Sequence, residues 1–263
     1  IATAAISLHP LSAAVVSGGY HDGNLERKFF KRPPDTFGMG SRQHRDGKEA
    51  MLAAETQEFF LTSGLECLLC KERREDLTER VVKANMCEVV KDRMYCLPSS
   101  ARQEHEWWHR DHQFKRMERV MDAVESYFDV VFIDCGSRQD DYARKVLKEA
   151  DVCVLNMNQE AEAIGAFYRE PPDFKGKVFF LLGKYFEDTL YNRKNLQRIY
   201  RVEEERLGAI PYNCRLHAAD QMSRIESGVR YYLGGDGVGR DTQFEKELVR
   251  TTNLILKLAG VIE

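Results

Sequence analysis

Apolar residues along this chain follow two patterns. Short continuous runs without alternation read as strands buried on both faces: Ala13 to Val16, Asp129 to Asp134, Asp151 to Asn156, Lys177 to Leu182 and Leu207 to Ile210. Arg93 to Leu97 is a further strand, ended by Pro98-Ser99-Ser100. Between and around these lie helical patterns over Asn24 to Phe30, most of Glu49 to Val90 (broken at Ser63-Gly64), Ala101 to Tyr127, Asp140 to Ala150, Leu190 to Arg206 and Phe244 to Val261. Ile1 to Leu8 reads as the end of a helix, stopped by His9-Pro10. Lys31 to Lys48, rich in Gly, Pro, Arg and Asp, reads as a loop. Unalternating strands separated by helices predict an α/β three-layer sandwich: a mostly parallel sheet of seven or eight strands with helices on both faces, forming one domain over residues 1–263. Ligands of such sheets bind at the carboxyl ends of the strands, here the loops after Val16, Asp134, Asn156, Gly183 and Ile210.

Composition narrows the classes. With 43% hydrophobic residues in 263, the chain can bury one sizeable core. A formal net charge of −3 excludes a nucleic-acid footprint over the whole surface and leaves only a local patch for DNA or a membrane surface. Seven cysteines, an odd number scattered partly inside apolar runs, fit reduced thiols and a cytoplasmic location. No apolar run reaches the ~18 residues of a membrane-spanning helix.

The clearest chemical signal is Phe128-Asp129-Val130-Val131-Phe132-Ile133-Asp134-Cys135-Gly136. A buried strand delivers the Asp134 carboxylate to the sheet edge, and Gly136 lets backbone approach a ligand. This is the plan of a Walker B site, where the acid orients Mg2+ through its water shell. The same stretch is also read more plainly as an acid that ends a strand. Further along come Ala150 to Asn156, a strand ending near Lys184, an isoleucine-proline phrase (Leu207 to Asn213) and a polar helix start over Leu216 to Gln221.

In this order the motifs resemble the MinD/ParA family of deviant P-loop ATPases over most of the chain. The resemblance implies ATP and Mg2+ as ligands, with Asp134 as metal-orienting and catalytic acid and Gly136 close to the nucleotide. It places Lys184, Pro211, Tyr212 and Asn213 near the base. It also implies a homodimer, a protein partner that stimulates release, and positioning of a cargo such as a plasmid, a chromosome, or division, pilus or secretion machinery. Two departures stand out. The glycine-rich phosphate loop is absent, and the expectation is that it lies, with the first strand, in about 15–25 residues upstream of Ile1. Gly234 to Thr242 echoes such a loop but lacks a feeding strand and has Arg240 in place of lysine, so it reads as a solvated turn. The family's acids after the second strand are replaced by Gly18 and Gly19; Asn24 fits the pattern, and Asp22 is the candidate to position the attacking water.

Two alternatives stay open. One is a degenerate, non-hydrolysing scaffold of the same fold. The other is a zinc metallopeptidase through His105-Glu106-Trp107-Trp108-His109, two histidines one helical turn apart with a glutamate between, and His112 and Glu125 nearby. Cys67 and Cys70 read as buried thiols, with zinc binding alongside Cys87 and Cys96 as the sharper reading. The C-terminal helix, with no basic excess on its polar face, is expected to dock on the core rather than on a membrane.

Overall fold

Residues 1–17, 25–30, 64–98, 111–136, 141–160, 165, 177–234 and 241–263 are described by the computed structural model. They pack as two compact units. One comprises Leu11–Ser137 with Ala219–Glu226; the other comprises Ile1–Pro10, Arg138–Ala218 and Ser227–Glu263.

In the first unit, strands β1 (Ala13–Ser17), β2 (Cys87–Val90), β3 (Met94–Leu97) and β4 (Val130–Asp134) form a sheet in the order β2-β3-β1-β4. β1 runs parallel to both β3 and β4. Its Ala13, Ala14, Val15 and Val16 are all buried, as expected of a central strand covered on both faces. The register of β1 against β4 is set just before the strands begin. Asp129 Oδ2 accepts from both the backbone N and the Oγ of Ser12, each at 2.7 Å, and Asp129 N donates back to Ser12 Oγ at 3.1 Å. Five residues on, Ser17 and Asp134 are ladder partners.

Cys87–Val90 forms a strand, where the helical pattern had been expected to run through to Val90. β2 pairs antiparallel with β3. The turn places Asp92 at φ 57, a conformation that aspartate tolerates better than most residues. Asp92 N donates to Glu88 Oε1 at 2.7 Å, and the Tyr95 hydroxyl donates to the same oxygen at 3.1 Å. These bonds, the one from Asp92 foremost, hold the Glu88 carboxyl below its ordinary range, while burial first and then Glu88 push the Tyr95 phenol up to about 12.

Helices α1 (Ala2–Leu8), α2 (Glu26–Phe29), α3 (Leu65–Glu72), α4 (Glu79–Ala84) and α5 (Asp111–Glu125) complete the N-terminal half of the chain. In the first unit α3 packs on α5, with Leu68, Leu69, Met117, Val120 and Val124 buried. The Glu72 carboxylate in α3 accepts from Arg116 Nε in α5 at 3.1 Å, and Arg116 also donates to the Leu69 carbonyl.

The second unit carries β5 (Val152–Met157), β6 (Lys177–Tyr185) and β7 (Leu207–Pro211), all parallel and in that order. The remaining helices are α6 (Asp141–Glu149), α7 (Arg193–Tyr200), α8 (Cys214–Gln221), α9 (Ile225–Leu233) and α10 (Thr242–Leu258). Phe180, Leu182, Leu196, Leu207 and Ala209 make one apolar cluster; Ala4, Val229, Tyr232, Phe244 and Leu248 make another. The helix expected over Leu190 to Arg206 is shorter, because Arg201 turns left-handed at φ 53 and ends α7. α10 is capped by Asp241, whose Oδ1 accepts from Phe244 N at 3.1 Å. α10 packs on β7 and α1, burying Leu248, Ile255 and Leu256, so the C-terminal helix does dock on the core. No helix among the described residues is long and apolar enough to cross a membrane.

Thr251 and Thr252 of α10 are fully buried, and neither hydroxyl oxygen has a hydrogen-bond partner. A buried unpaired hydroxyl is destabilising. Thr251→Val and Thr252→Val, which keep shape and β-branching, are therefore expected to raise stability by about 1 kcal/mol each, read from urea midpoints; a lower midpoint for both would reject the reading.

The hydrogen bonds from Ser12, its backbone N first, hold the Asp129 carboxyl below its ordinary range. Its contribution to folding is therefore full above the unfolded carboxylate value of about 4 and is lost as pH falls through the lower folded value. Asp129→Asn is expected to lower the neutral plateau of a stability-against-pH curve slightly and to flatten its acid limb below about 4 by the same small amount, since the pair is exposed.

Candidate functional site

Two groups of sequence-predicted residues stand at carboxyl ends of parallel strands, one in each unit. In the first unit Asp134 is the last residue of β4 and is exposed. Its Oδ1 accepts from Gly136 N at 2.9 Å. Oδ2 has no hydrogen-bond partner among the described residues. Gly136 has φ +58, and nothing lies within 4 Å of where a Cβ would stand. Glycine is required there by conformation rather than by crowding, because the left-handed turn folds the backbone N–H onto the carboxylate. An exposed carboxylate with one oxygen anchored and one open suits a hydrated Mg2+, which is commonly held by one or two carboxylates while keeping several waters.

In the second unit the carboxyl ends of β5, β6 and β7 bring Asn156, Lys184 and Tyr212 to one sheet edge. The β6–β7 ladder is irregular between Leu182 and Tyr185, and Lys184 within it adopts φ 51. Such an interruption re-aims a side chain, and a lysine held left-handed costs about 1–2 kcal/mol. Gly183 admits close approach: a Cβ there would stand 2.8 Å from Asn156 Oδ1. Pro211 closes β7 in register with Tyr185. The Tyr212 ring, 39% exposed, stacks on Phe186, 56% exposed, with centroids 6.1 Å apart at 23°. The His217 ring lies beside Tyr212, tilted at 43° with centroids also 6.1 Å apart.

Asn213 is placed differently from its neighbours. It is buried, and its Oδ1 accepts from Leu216 N at 2.9 Å and from the Tyr232 hydroxyl at 3.0 Å; its Nδ2 donates to Asp241 Oδ2 at 3.3 Å. The side chain is committed to capping α8 and tying α8, α9 and the start of α10 together. Asp22 and Asn24, the His105 to His109 motif and His112 lie outside the described residues, or their side chains do.

Sequence reading passed over three residues here: Asn156 as a neighbour of Gly183, Phe186 and Gln159. The Gln159 side chain accepts from Phe186 N at 2.7 Å and donates to Phe186 O at 2.9 Å, Thr189 Oγ1 at 2.7 Å and Tyr191 O at 3.1 Å. It thereby fixes the segment after β6 that presents Phe186. The only sequence signal was an amide beside a strand end, which is too common to single out. Gln159→Leu is expected to speed amide hydrogen exchange at Phe186 by about tenfold. Unchanged protection at Phe186 would show that the clamp is not needed.

The MipZ family model (ATPase MipZ) matches residues 72–162. No curated protein matches the chain in sequence. Among solved structures, a ParA family ATPase from Chlorobium tepidum TLS superposes with a TM-score of 0.64 at 13% identity, covering 96% of this chain and 91% of that one. The septum site-determining protein MinD from Pyrococcus horikoshii OT3, in complex with Mg-ADP, gives 0.60 at 14%, covering 99% and 89%. A plasmid partition protein from Borrelia burgdorferi B31 bound to AMPPNP gives 0.61 at 14%, covering 97% and 92%. At these identities the likeness is one of fold. The chain thus shares its fold along nearly its whole length with these ParA and MinD proteins, and residues 72–162 match the MipZ family pattern.

Proposed function

We propose that the protein binds ATP with Mg2+ and acts in the cytoplasm as a nucleotide-dependent positioning or partitioning protein. The observation that carries this reading is the Asp134 carboxylate, delivered by an apolar parallel strand in register with Ser17 and followed by a left-handed glycine. A bound Mg2+ would neutralise charge on phosphate oxygens, and Asp134 is the residue that would hold it. Lys184, Pro211 and Tyr212 are the residues assigned to the base. Asn213 contributes through its cap on α8, since its side-chain atoms are already bonded. Asp22 is the candidate for orienting the attacking water, and Asn24, two residues on, is assigned to nucleotide binding. The nucleotides in the Pyrococcus and Borrelia relatives support the ligand class.

A further strand carrying the phosphate loop is expected beside β4. In support, β4 pairs with β1 on one side and with no other strand among the described residues, and its apolar Val130 to Ile133 are only half-buried, whereas those of β1 are fully buried. An apolar strand with an open edge fits a sheet that accepts a further strand there. Nucleotide-dependent homodimerisation, a protein partner and a cargo follow as parts of the same proposal.

Calorimetric titration of the full-length protein with ATP, with and without Mg2+, tests it. Asp134→Ala is expected to weaken Mg2+-dependent binding on the order of tenfold or more, to leave Mg2+-free binding nearly unchanged, and to abolish turnover. Equal Mg2+-dependent affinity in the variant overturns the role of Asp134. No nucleotide binding to the wild-type protein overturns the function. Tight binding without turnover assigns the protein to the non-hydrolysing scaffold class, which Gly18 and Gly19 at the acid positions would explain.

A further inference from the structure

Cys87 and Cys96 are directly opposed ladder partners in the antiparallel β2–β3 hairpin of the first unit. Both are thiols in the structure. Directly opposed residues of an antiparallel pair have Cα atoms about 4.5 or about 5.5 Å apart, depending on the hydrogen-bonding class of the pair. Both spacings fall within the span of about 4.4–6.8 Å that a disulfide bridges. The side chains of such a pair leave the sheet on the same face, which turns the two sulfurs towards each other across a gap that a small closing of the hairpin bridges. The intervening turn is held by Glu88 and Asp92, which keeps the register that brings the cysteines opposite each other. The two also differ in access: Cys96 is 0% exposed in the inner strand, and Cys87 is 8% exposed in β2, the outermost strand of this sheet among the described residues. Terminal strands open locally at lower free energy than central ones.

We propose that Cys87 and Cys96 form a reversible cross-strand disulfide with a low-molecular-weight disulfide such as oxidised glutathione as the oxidant. The Cys87 thiolate attacks one sulfur of the oxidant, forming a mixed disulfide and releasing one glutathione thiolate. The Cys96 thiolate then attacks Cys87 Sγ, forming the protein disulfide and releasing the second. Two protein thiols are oxidised, one glutathione disulfide is reduced to two thiols, and the two protons pass from the cysteines to the released glutathione. The bond staples β2 to the strand beside β1.

The test incubates the full-length protein with oxidised glutathione, alkylates remaining thiols after denaturation and maps tryptic peptides by mass spectrometry. Lys91 and Arg93 lie between the two cysteines, so cleavage separates them unless the sulfurs are joined. The expected result is a linked peptide pair lighter by about 2 Da than the sum of its reduced parts and split by dithiothreitol. Exposed Cys70 and Cys214 are expected to carry glutathione instead. In Cys96→Ala, the glutathione adduct on Cys87 is expected to persist. Three results each overturn the proposal: recovery of Cys87 and Cys96 as alkylated thiols, a lasting glutathione adduct on either in the wild-type protein, or linkage of either to another cysteine.

Discussion

The contact between Ser12 and Asp129 governs what the first unit can offer a ligand. Each residue sits one position before its strand begins, and the two exchange three hydrogen bonds. Because β1 and β4 are only five residues long and parallel, that bracket fixes which residues come out beside each other at the far end, namely Ser17 and Asp134. A slip by one residue would turn the acid to the opposite face of the sheet, since side chains alternate with a period of two. The bracket is exposed, so its own contribution to stability is small. Its value lies in specifying one register out of several that an all-apolar strand such as Val-Val-Phe-Ile could otherwise adopt.

The second unit uses local strain rather than register. β6 runs past the point where its ladder with β7 breaks, and the chain crosses that break with Lys184 in a conformation costly for a residue with a Cβ. The surroundings hold it there. Asn156 lies over Gly183, Tyr185 re-enters the ladder opposite Pro211, and Gln159 pins the segment from Phe186 to Tyr191. Phe186 and Tyr212 therefore present exposed rings from a braced backbone, the arrangement that loses least entropy when something planar or apolar docks on them.

Much of this was legible from residue order. β4, β5 and β7 are continuous apolar runs bounded by acids, glycine or proline, and the structure places them within a residue or so of where the pattern does. The C-terminal helix was legible because its apolar positions recur at helical spacing; Asp241 then supplies the cap. Two of the misses come from a backbone reversal at a residue that does not announce one. Asp92 makes the β2–β3 turn and Arg201 ends α7, both left-handed without glycine; the helical pattern was read straight through Arg201, and before Asp92 it was run to Val90 over what is strand β2. At Gly183-Lys184 the reverse error arose: a glycine read as a strand end marks an irregularity inside a longer strand. Asn213 was read as a ligand neighbour because it follows an isoleucine-proline phrase. Its burial and its bonds to Leu216, Tyr232 and Asp241 depend on tertiary partners up to 28 residues away, which no local pattern encodes.

The hairpin that the sequence concealed also bears on how oxidation could reach the site. β3 lies between β2 and β1, and its own register with β1 runs from Met94 opposite Ala13 to Leu97 opposite Val16. A bond between Cys87 and Cys96 joins positions that are already ladder partners, so the closing it needs falls between β2 and β3 rather than on β1 or its neighbour β4. What it removes is opening of β2 from the sheet, a motion that exposes the buried Met94 to Leu97 strand. Oxidation at this place would thus act on how often the sheet edge opens and leave the position of Asp134 as it is. That separates it physically from a switch at the ligand-facing ends of the strands, where a change of a single side chain alters the carboxylate itself.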